Sequence, residues 1–168
     1  VEPVLSIPNK IKELDFGNIT FEINDFKEQT LNQQFISSSS ILKYSFLTPW
    51  AALNHVTGNK YRSTAYKKKV SYLNKLLGNN LIFLAKEVGA PVEKGIYTKV
   101  EIPNLHPKSI DDNKWKSFKG EFKTNIVLPN YIGLGNGITR GHGTISGLFN
   151  IDSVAFDKEL DKEEIKDM

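Results

Sequence analysis

The sequence predicts an α+β domain, in which helices cover one face of an antiparallel four-stranded sheet. Two observations support this fold class. Apolar residues recur at spacings of three, four and seven over residues 70–88, as in a long amphipathic helix. Short segments typical of strands flank that helix, in the order strand, helix, strand, strand, short helix, strand. The chain of 168 residues is long enough to bury a core of this kind.

The first 40 residues differ from the rest of the chain. Residues 10–16 suggest one or two helical turns, and residues 17–26 alternate apolar and polar side chains as a half-buried strand does. Residues 28–40 are polar, end in four serines, and predict a loop or linker. We therefore interpret residues 1–40 as the end of a larger unit followed by a linker.

The predicted elements continue with a strand over residues 41–47 and one or two helical turns over residues 51–58. The long helix follows. Ser63 or Thr64 is its candidate N-cap, and Gly89 marks its end. Its leucine stripe is interpreted as core, because nothing in the pattern suggests a cofactor site.

The last part of the domain is predicted as a hairpin of strands 96–102 and 115–128, then a turn or short helix, then a strand over residues 142–149. The complete order is βαββαβ, the ferredoxin-like pattern. This assigns residues 41–150 to a ferredoxin-like domain and residues 151–168 to an acidic tail. Fold alone does not give function, because this fold serves many activities.

The composition excludes several classes of site. The chain has no cysteine, and its three histidines, His55, His106 and His142, are far apart without metal-ligand spacing. We therefore expect neither a metal site nor a cofactor. No apolar run is long enough to span a bilayer, and no signal peptide is recognisable, so the expected location is the cytoplasm.

The charge is unevenly distributed. Residues 152–168 carry a net charge of −4, which leaves +7 on the other 151 residues. Residues 29–86 contain no Asp or Glu but eight basic residues, namely Lys43, Lys60, Arg62, Lys67, Lys68, Lys69, Lys75 and Lys86. Such a basic field favours a polyanionic partner, most simply a nucleic acid. The alternative is a lysine-rich surface that only keeps the protein soluble.

A glycine-rich stretch over residues 131–147 surrounds Arg140 and His142. Its glycines are Gly133, Gly135, Gly137, Gly141, Gly143 and Gly147. Glycines allow backbone amides to approach a phosphate closely, and Arg140 adds a fixed positive charge. Tight turns need glycines equally, so a structural role for them stays open.

Two blocks of the sequence resemble a known family. Tyr44-Ser-Phe-Leu-Thr-Pro-Trp-Ala-Ala-Leu-Asn54 and Tyr131-Ile-Gly-Leu-Gly-Asn-Gly-Ile-Thr-Arg-Gly-His-Gly-Thr-Ile145 are similar to the repeat-processing endoribonucleases of CRISPR systems, members of the RAMP superfamily. The resemblance covers about residues 41–149. It implies two ferredoxin-like domains in tandem, with residues 1–40 as the end of the first. It also implies that the family's frequent first-domain histidine lies upstream of Val1.

The resemblance implies metal-independent cleavage of precursor RNA within each repeat, with CRISPR RNA as partner and other effector subunits as further partners. The 2′-hydroxyl would attack the adjacent phosphate and leave a 2′,3′-cyclic phosphate and a 5′-hydroxyl. Such cleavage needs a base, an acid and cations. The catalytic candidates are His55, Lys60, Tyr61 and His142. The RNA-binding candidates are Arg140, Gly133, Gly135, Gly137, Gly141, Gly143, Arg62, Lys67, Lys68 and Lys69. His106, Trp50 and Trp115 are interpreted as structural.

Three other functions remain open. The first is a relative that holds guide RNA without cleaving it. The second is an RRM, because Arg140-Gly-His-Gly is similar to the start of an RRM signature. The order of elements argues against it, since an RRM continues with a helix and a strand. The third is a structural or oligomerising ferredoxin-like domain, which leaves the acid-free stretch unexplained.

Overall fold

The computed structural model describes residues 10–24, 35–90, 95–110, 114–150 and 153–154. Contacts between Cα atoms divide the chain into two compact units, Val1–Asn32 and Gln33–Met168. The helices and strands are β1 (Glu13–Asp15), β2 (Thr20–Glu22), β3 (Ile36–Phe46), β4 (Trp50–Leu53), α1 (His55–Ser63), α2 (Lys69–Glu87), β5 (Thr98–Glu101), β6 (Lys108–Ile110), β7 (Trp115–Phe118), β8 (Glu121–Val127) and β9 (Ile145–Gly147). No described helix has both the length and the apolar character needed to cross a membrane.

The first unit contains a small antiparallel hairpin. β1 pairs with β2 so that Leu14 lies opposite Phe21, and Gly17 takes the positive φ of +80° in the turn between them. The prediction of a helical turn over residues 10–16 is therefore wrong, because β1 occupies its second half. Ile19 and Phe21 are exposed rather than half-buried, at 57% and 54%.

The second unit is built on a four-stranded antiparallel sheet in the order β5-β8-β3-β9. In the chain order of its own strands this is 2-3-1-4, so the βαββαβ prediction is confirmed as a ferredoxin-like sheet. The long central strand β3 begins at Ile36. Its four serines were predicted to lie in a loop, and that prediction is wrong because they continue the strand. Residues 28–34 lie outside the described part of the chain.

Helix α2 covers one face of this sheet. Its buried side chains, Leu73, Leu77, Leu81 and Ala85, follow the predicted stripe. Asn74 fastens the helix to the sheet edge, because its side-chain oxygen accepts a hydrogen bond from the Val100 amide at 2.7 Å. The predicted stop is confirmed, since Gly89 has φ +68° and its amide donates to the carbonyl of Lys86.

A second sheet of three strands, in the order β4-β7-β6, was not predicted. β4 is apolar and buried at all four positions, so it lacks the alternation that identifies a half-buried strand, and a helical turn was predicted there instead. α1 follows it and ends at Ser63, so Ser63 and Thr64 close α1 rather than cap α2. The predicted strand 115–128 divides into β7 and β8, which belong to different sheets.

Gly120 lies at the break between β7 and β8, where only glycine fits. Its φ is +151°, and a Cβ atom there would lie 2.6 Å from the Glu101 carbonyl oxygen. After β8, the predicted turn or short helix contains a single turn of 3₁₀ helix, Ile138–Arg140, and the last strand is shorter than predicted. Most of the acidic tail lies outside the described residues.

Candidate RNA-binding site

The glycine-rich stretch packs directly on the connection between β3 and β4. The Gly143 amide donates to the Pro49 carbonyl at 3.0 Å, and both the backbone and the side-chain nitrogen of Asn136 donate to the Ala51 carbonyl, at 3.0 and 2.7 Å. The Thr48 hydroxyl donates to the Gly141 carbonyl at 2.6 Å. The two sequence blocks that carry the family resemblance are therefore one structural unit.

Several glycines of this loop are required by packing. A Cβ atom on Gly135 would lie 2.8 Å from Nε1 of Trp50, and one on Gly143 would lie 2.0 Å from the Leu134 carbonyl oxygen. The amide of Gly143 donates to Pro49 and that of Gly141 to Ile138. These two amides are thus already used inside the protein. Their hydrogen bonds do not support the prediction that they contact a phosphate.

Arg140 and His142 come together beside Trp115. The Arg140 guanidinium carbon lies 5.7 Å from the centre of a Trp115 ring. A Cβ atom on Gly137 would be 2.6 Å from the same tryptophan and 2.9 Å from the His142 imidazole, so Gly137 lets the two rings approach. Arg140 is exposed and His142 is half-buried. A cation stacked on an indole at the surface is suited to RNA phosphates and bases.

A pocket of about 490 Å³ opens between α1, the start of α2 and strand β7. Its lining residues are Leu53, Asn54, His55, Gly58, Asn59, Tyr61, Arg62, Lys69, Pro107, Lys114 and Lys116. Five of these side chains are basic, and no described residue of the lining is acidic. The pocket therefore concentrates positive potential at one place on the surface.

Helix capping places His55 at this pocket. The Asn54 side chain accepts a hydrogen bond from the Thr57 amide, and the Thr57 hydroxyl accepts one from the Asn54 amide, both at 2.9 Å. This capping box starts α1 at His55. The His55 side chain is exposed at the pocket rim, and Gly58 and Arg62 follow it on successive turns.

Tyr61 forms part of the pocket wall. Its ring is 3% exposed, its hydroxyl donates to the Leu105 carbonyl at 2.7 Å, and burial raises its pKa. The Lys69 ammonium lies 4.7 Å from the centre of that ring. A phenol held this way does not present a hydroxyl to a ligand, which argues against the predicted catalytic role.

The structure thus brings some candidates together and separates others. His55, Arg62 and Lys69 line the pocket; Lys60, Lys67 and Lys68 are exposed outside its lining. Arg140 and His142 do not line it. Strand β7 carries a residue of each group, since Lys116 lines the pocket while the adjacent Trp115 contacts Gly137. Consecutive side chains of a strand point to opposite faces, so the two groups belong to opposite faces of β7.

Two pocket residues, Lys114 and Lys116, were missed by the sequence analysis. Lys114-Trp115-Lys116 alternates just where the predicted strand begins, and this alternation was the available signal. In the structure Lys116 lies in β7, whereas Lys114 precedes the strand with a φ of +56°. The acid-free stretch wrongly suggested that all its basic side chains lack acidic partners. Lys43 lies on the large sheet and pairs with Glu121 at 2.5 Å and Glu101 at 3.5 Å, acids from distant parts of the chain.

The comparisons with known proteins agree with this picture. The uncharacterized protein MJ0978 of Methanocaldococcus jannaschii is 26% identical over 135 residues, which are 80% of this chain and 92% of that protein. A crystal structure of Cas6b is 28% identical with a TM-score of 0.74, over 86% of this chain and 68% of that one. Another, described as the CRISPR RNA processing endoribonuclease Cas6b, is 25% identical with a TM-score of 0.68, over 86% and 71%.

The match to a family model covers both blocks of the sequence. Residues 36–148 match the model described as the Cas6b C-terminal domain, from the first residue of β3 to just beyond β9. The family resemblance noted from the sequence is thereby confirmed. With its ferredoxin-like sheet and its glycine-rich loop packed on the β3–β4 connection, the chain belongs to the Cas6b family.

Proposed function

We propose that this protein binds CRISPR repeat RNA and cleaves it without a metal ion. The observation that carries the proposal is the pocket beside α1, where five basic side chains meet without an acidic residue among the described lining. A matched structure is described as a CRISPR RNA processing endoribonuclease, which supports the same substrate. Polyanionic RNA is the partner that such a pocket attracts most strongly.

The proposed cleavage is a transesterification within the RNA. A base removes the proton of the 2′-hydroxyl as its oxygen attacks the adjacent phosphorus, and an acid protonates the departing 5′-oxygen. The products are a 2′,3′-cyclic phosphate and a 5′-hydroxyl. His55 is our candidate for one of these proton transfers, because it lies at the rim among Arg62, Lys69 and Lys116. Those cations would stabilise the negative charge that develops on phosphorus oxygens.

The glycine-rich loop would contact a different part of the RNA. Arg140 is the proposed phosphate ligand there, since its guanidinium is exposed and stacked on Trp115. His142 is the second catalytic candidate, beside the same tryptophan. Lys67 and Lys68 would add non-specific attraction from the surface before α2.

A second candidate function is a module that holds guide RNA without cutting it, alone or with other CRISPR subunits. The separation of the two histidines favours this alternative, because His55 lines the pocket and His142 does not. The hydrogen bond from the Tyr61 hydroxyl to Leu105 also removes one candidate proton donor.

Cleavage of a labelled CRISPR repeat RNA in excess EDTA tests the proposal. The proteins compared are the unmodified chain, His55→Ala, His142→Ala and, as matched control, His106→Ala, whose exposed loop residue does not line the pocket. We expect a 2′,3′-cyclic phosphate product and a loss of rate of about 10²–10⁴-fold in one of the first two variants only. RNA binding without cleavage, both in EDTA and with added Mg²⁺, would favour the second candidate function. Cleavage that stops in EDTA would refute metal independence.

A further inference from the structure

We propose that the pocket beside α1 holds one unstacked nucleotide of the RNA, with its base on an apolar floor and its phosphate at the basic rim. This inference rests on the proposed function and names the ligand of one of its sites. A nucleotide pocket differs from a simple phosphate site, because the binding of phosphate requires only the cations. Three features of the pocket support this inference, namely the apolar floor, the basic rim and the absence of a side chain at residue 58.

The floor of the pocket is apolar and firmly held. Most of the accessible surface that lines the pocket is apolar. Leu53 and Tyr61 close the pocket from below and belong to the hydrophobic core, with only 1% and 3% of their own surface exposed. Tyr61 is fixed by its hydrogen bond to Leu105, and its ring contacts that of Phe118 with centroids 5.6 Å apart. Pro107 completes the apolar lining. A rigid apolar floor binds a flat base at little entropic cost.

The rim presents cations that other groups hold in position. Lys69 lies over the Tyr61 ring, and Nζ of Lys116 donates to the Ser109 hydroxyl at 2.5 Å. Strand pairing places Lys116 opposite Leu53, so a cation and the floor meet at one point of the β4–β7 ladder. A nucleotide offers the matching combination of an anionic phosphate and an apolar ring face.

Gly58 keeps the pocket open. It lies inside α1, where glycine is about 1 kcal/mol less favourable than alanine. It does not have a positive φ, and a Cβ atom there would meet only Leu53, at 3.9 Å. Neither backbone strain nor crowding therefore requires glycine at this position. A larger side chain would enter the pocket, which at about 490 Å³ has the size of a small-ligand site.

Size and chemistry also determine which form of RNA can enter. A base inside a duplex is stacked on both faces, so it reaches a pocket only after leaving the stack. Proteins that recognise RNA sequence usually bind such unstacked bases in single-stranded segments. The pocket would thus select a single-stranded or extruded nucleotide of the repeat.

The test fills the pocket without changing its charge. Gly58→Leu adds a side chain to the pocket, whereas Gly58→Ala adds only a Cβ and is the matched control. Binding of uridine 5′-monophosphate and of inorganic phosphate is followed by ¹⁵N chemical shifts of residues 54–62 and 114–116. We expect the nucleotide to bind the unmodified chain and Gly58→Ala at least about tenfold more tightly than phosphate, and Gly58→Leu to lose this difference.

Thermal unfolding verifies that each variant is folded, and Gly58→Met replaces Gly58→Leu if the latter is not. Equal affinities for nucleotide and phosphate, or undiminished nucleotide binding in the filled variant, would overturn the inference. The proposed function fails by a different result, namely no binding of the unmodified chain to repeat RNA. A protein that binds repeat RNA but not the mononucleotide refutes the pocket and leaves RNA binding in place.

Discussion

Gly141 and Gly143 show how individual residues shape the glycine-rich loop. Both have a positive φ, +80° and +70° respectively. A Cβ atom on Gly141 would meet nothing within 4 Å, but one on Gly143 would lie 2.0 Å from the Leu134 carbonyl oxygen. The amide of Leu134 in turn donates to the Gly143 carbonyl at 3.0 Å. The two positions therefore share the conformational requirement and differ only in packing.

Alanine at these two positions should have unequal effects. Gly141→Ala carries only the cost of a left-handed backbone, about 1–2 kcal/mol. Gly143→Ala must also displace the Leu134 carbonyl, and we expect it to lower the free energy of unfolding by at least about 2 kcal/mol more. Urea unfolding followed by tryptophan fluorescence measures both, because Trp50 contacts this loop. Equal losses would show that packing around Gly143 is not the determinant.

At the scale of elements, the surface position of a lysine decides whether it can bind RNA. Lys67 and Lys68 are exposed in the 3₁₀ turn Tyr66–Lys68 before α2. Lys43 and Lys123 lie on the large sheet and pair with acids of β5 and β8. The hydrogen bond that Lys43 donates to Glu121 raises the pKa of Lys43, which favours the charged form of this lysine. The positive charges of Lys43 and Lys123 are therefore already balanced by carboxylates in the folded protein.

Two double variants of equal charge loss separate these groups. Lys67→Ala with Lys68→Ala should weaken binding of repeat RNA and reduce the slope of log affinity against log salt by about 1.4, since each single-strand contact contributes about 0.7. Lys43→Ala with Lys123→Ala should leave that slope nearly unchanged. Fluorescence anisotropy over a series of KCl concentrations gives both values. A larger effect from the sheet variant would place the RNA on the sheet instead.

At the scale of the whole molecule, Tyr44 connects the parts of the second unit. It is fully buried in β3, its hydroxyl accepts a hydrogen bond from the Leu128 amide at 2.8 Å, and its ring stacks on Phe122 at 5.2 Å. Its ring also meets Phe149 edge to face at 5.2 Å. Burial raises the pKa of Tyr44 from 10.0 to about 12. The free energy of unfolding of this unit therefore depends on whether the Tyr44 hydroxyl keeps its proton.

The expected pH dependence follows from which state keeps the proton. Between pH 10 and about pH 12 the folded protein retains the Tyr44 proton, whereas the unfolded chain loses it. The contribution of Tyr44 to the free energy of unfolding should thus be complete below pH 10. It should fall by about 1.4 kcal/mol per pH unit between pH 10 and about pH 12. Tyr44→Phe should remove this part of the alkaline slope. It should also lower stability at neutral pH by about 1–3 kcal/mol, because the Leu128 amide loses its acceptor.

Guanidinium unfolding at a series of pH values measures both effects. Tyr66→Phe is the matched control, because Tyr66 is 68% exposed. Some alkaline slope will remain in Tyr44→Phe, since burial also raises the pKa of Tyr61 and Tyr72. An alkaline slope that is identical in the unmodified protein and in Tyr44→Phe would contradict the assignment.

The sequence predicted those features that depend on local patterns. The leucine spacing identified α2, and the predicted strands 41–47, 96–102 and 115–128 each contain part of a strand of the large sheet. The family was identified from two contiguous blocks, because a turn with several glycines and a fixed arginine leaves a local signature. Boundaries were less well predicted. β3 starts five residues earlier than expected, since Ile36 and Ser37 pair with β8 ahead of a register shift that ends at Leu42.

What the sequence by itself determined was the long helix, the ferredoxin-like class, the family and a basic stretch without acidic residues, because periodicity, composition and short motifs are properties of neighbouring residues. Only the tertiary structure decided the second sheet and the pocket. β4, α1 and β7 meet there from positions about 60 residues apart in the chain, and backbone pairing between Leu53 and Lys116 brings them together. The tertiary structure also decided which basic side chains are available to a ligand, because Lys43 meets its acidic partners only after the sheet has formed.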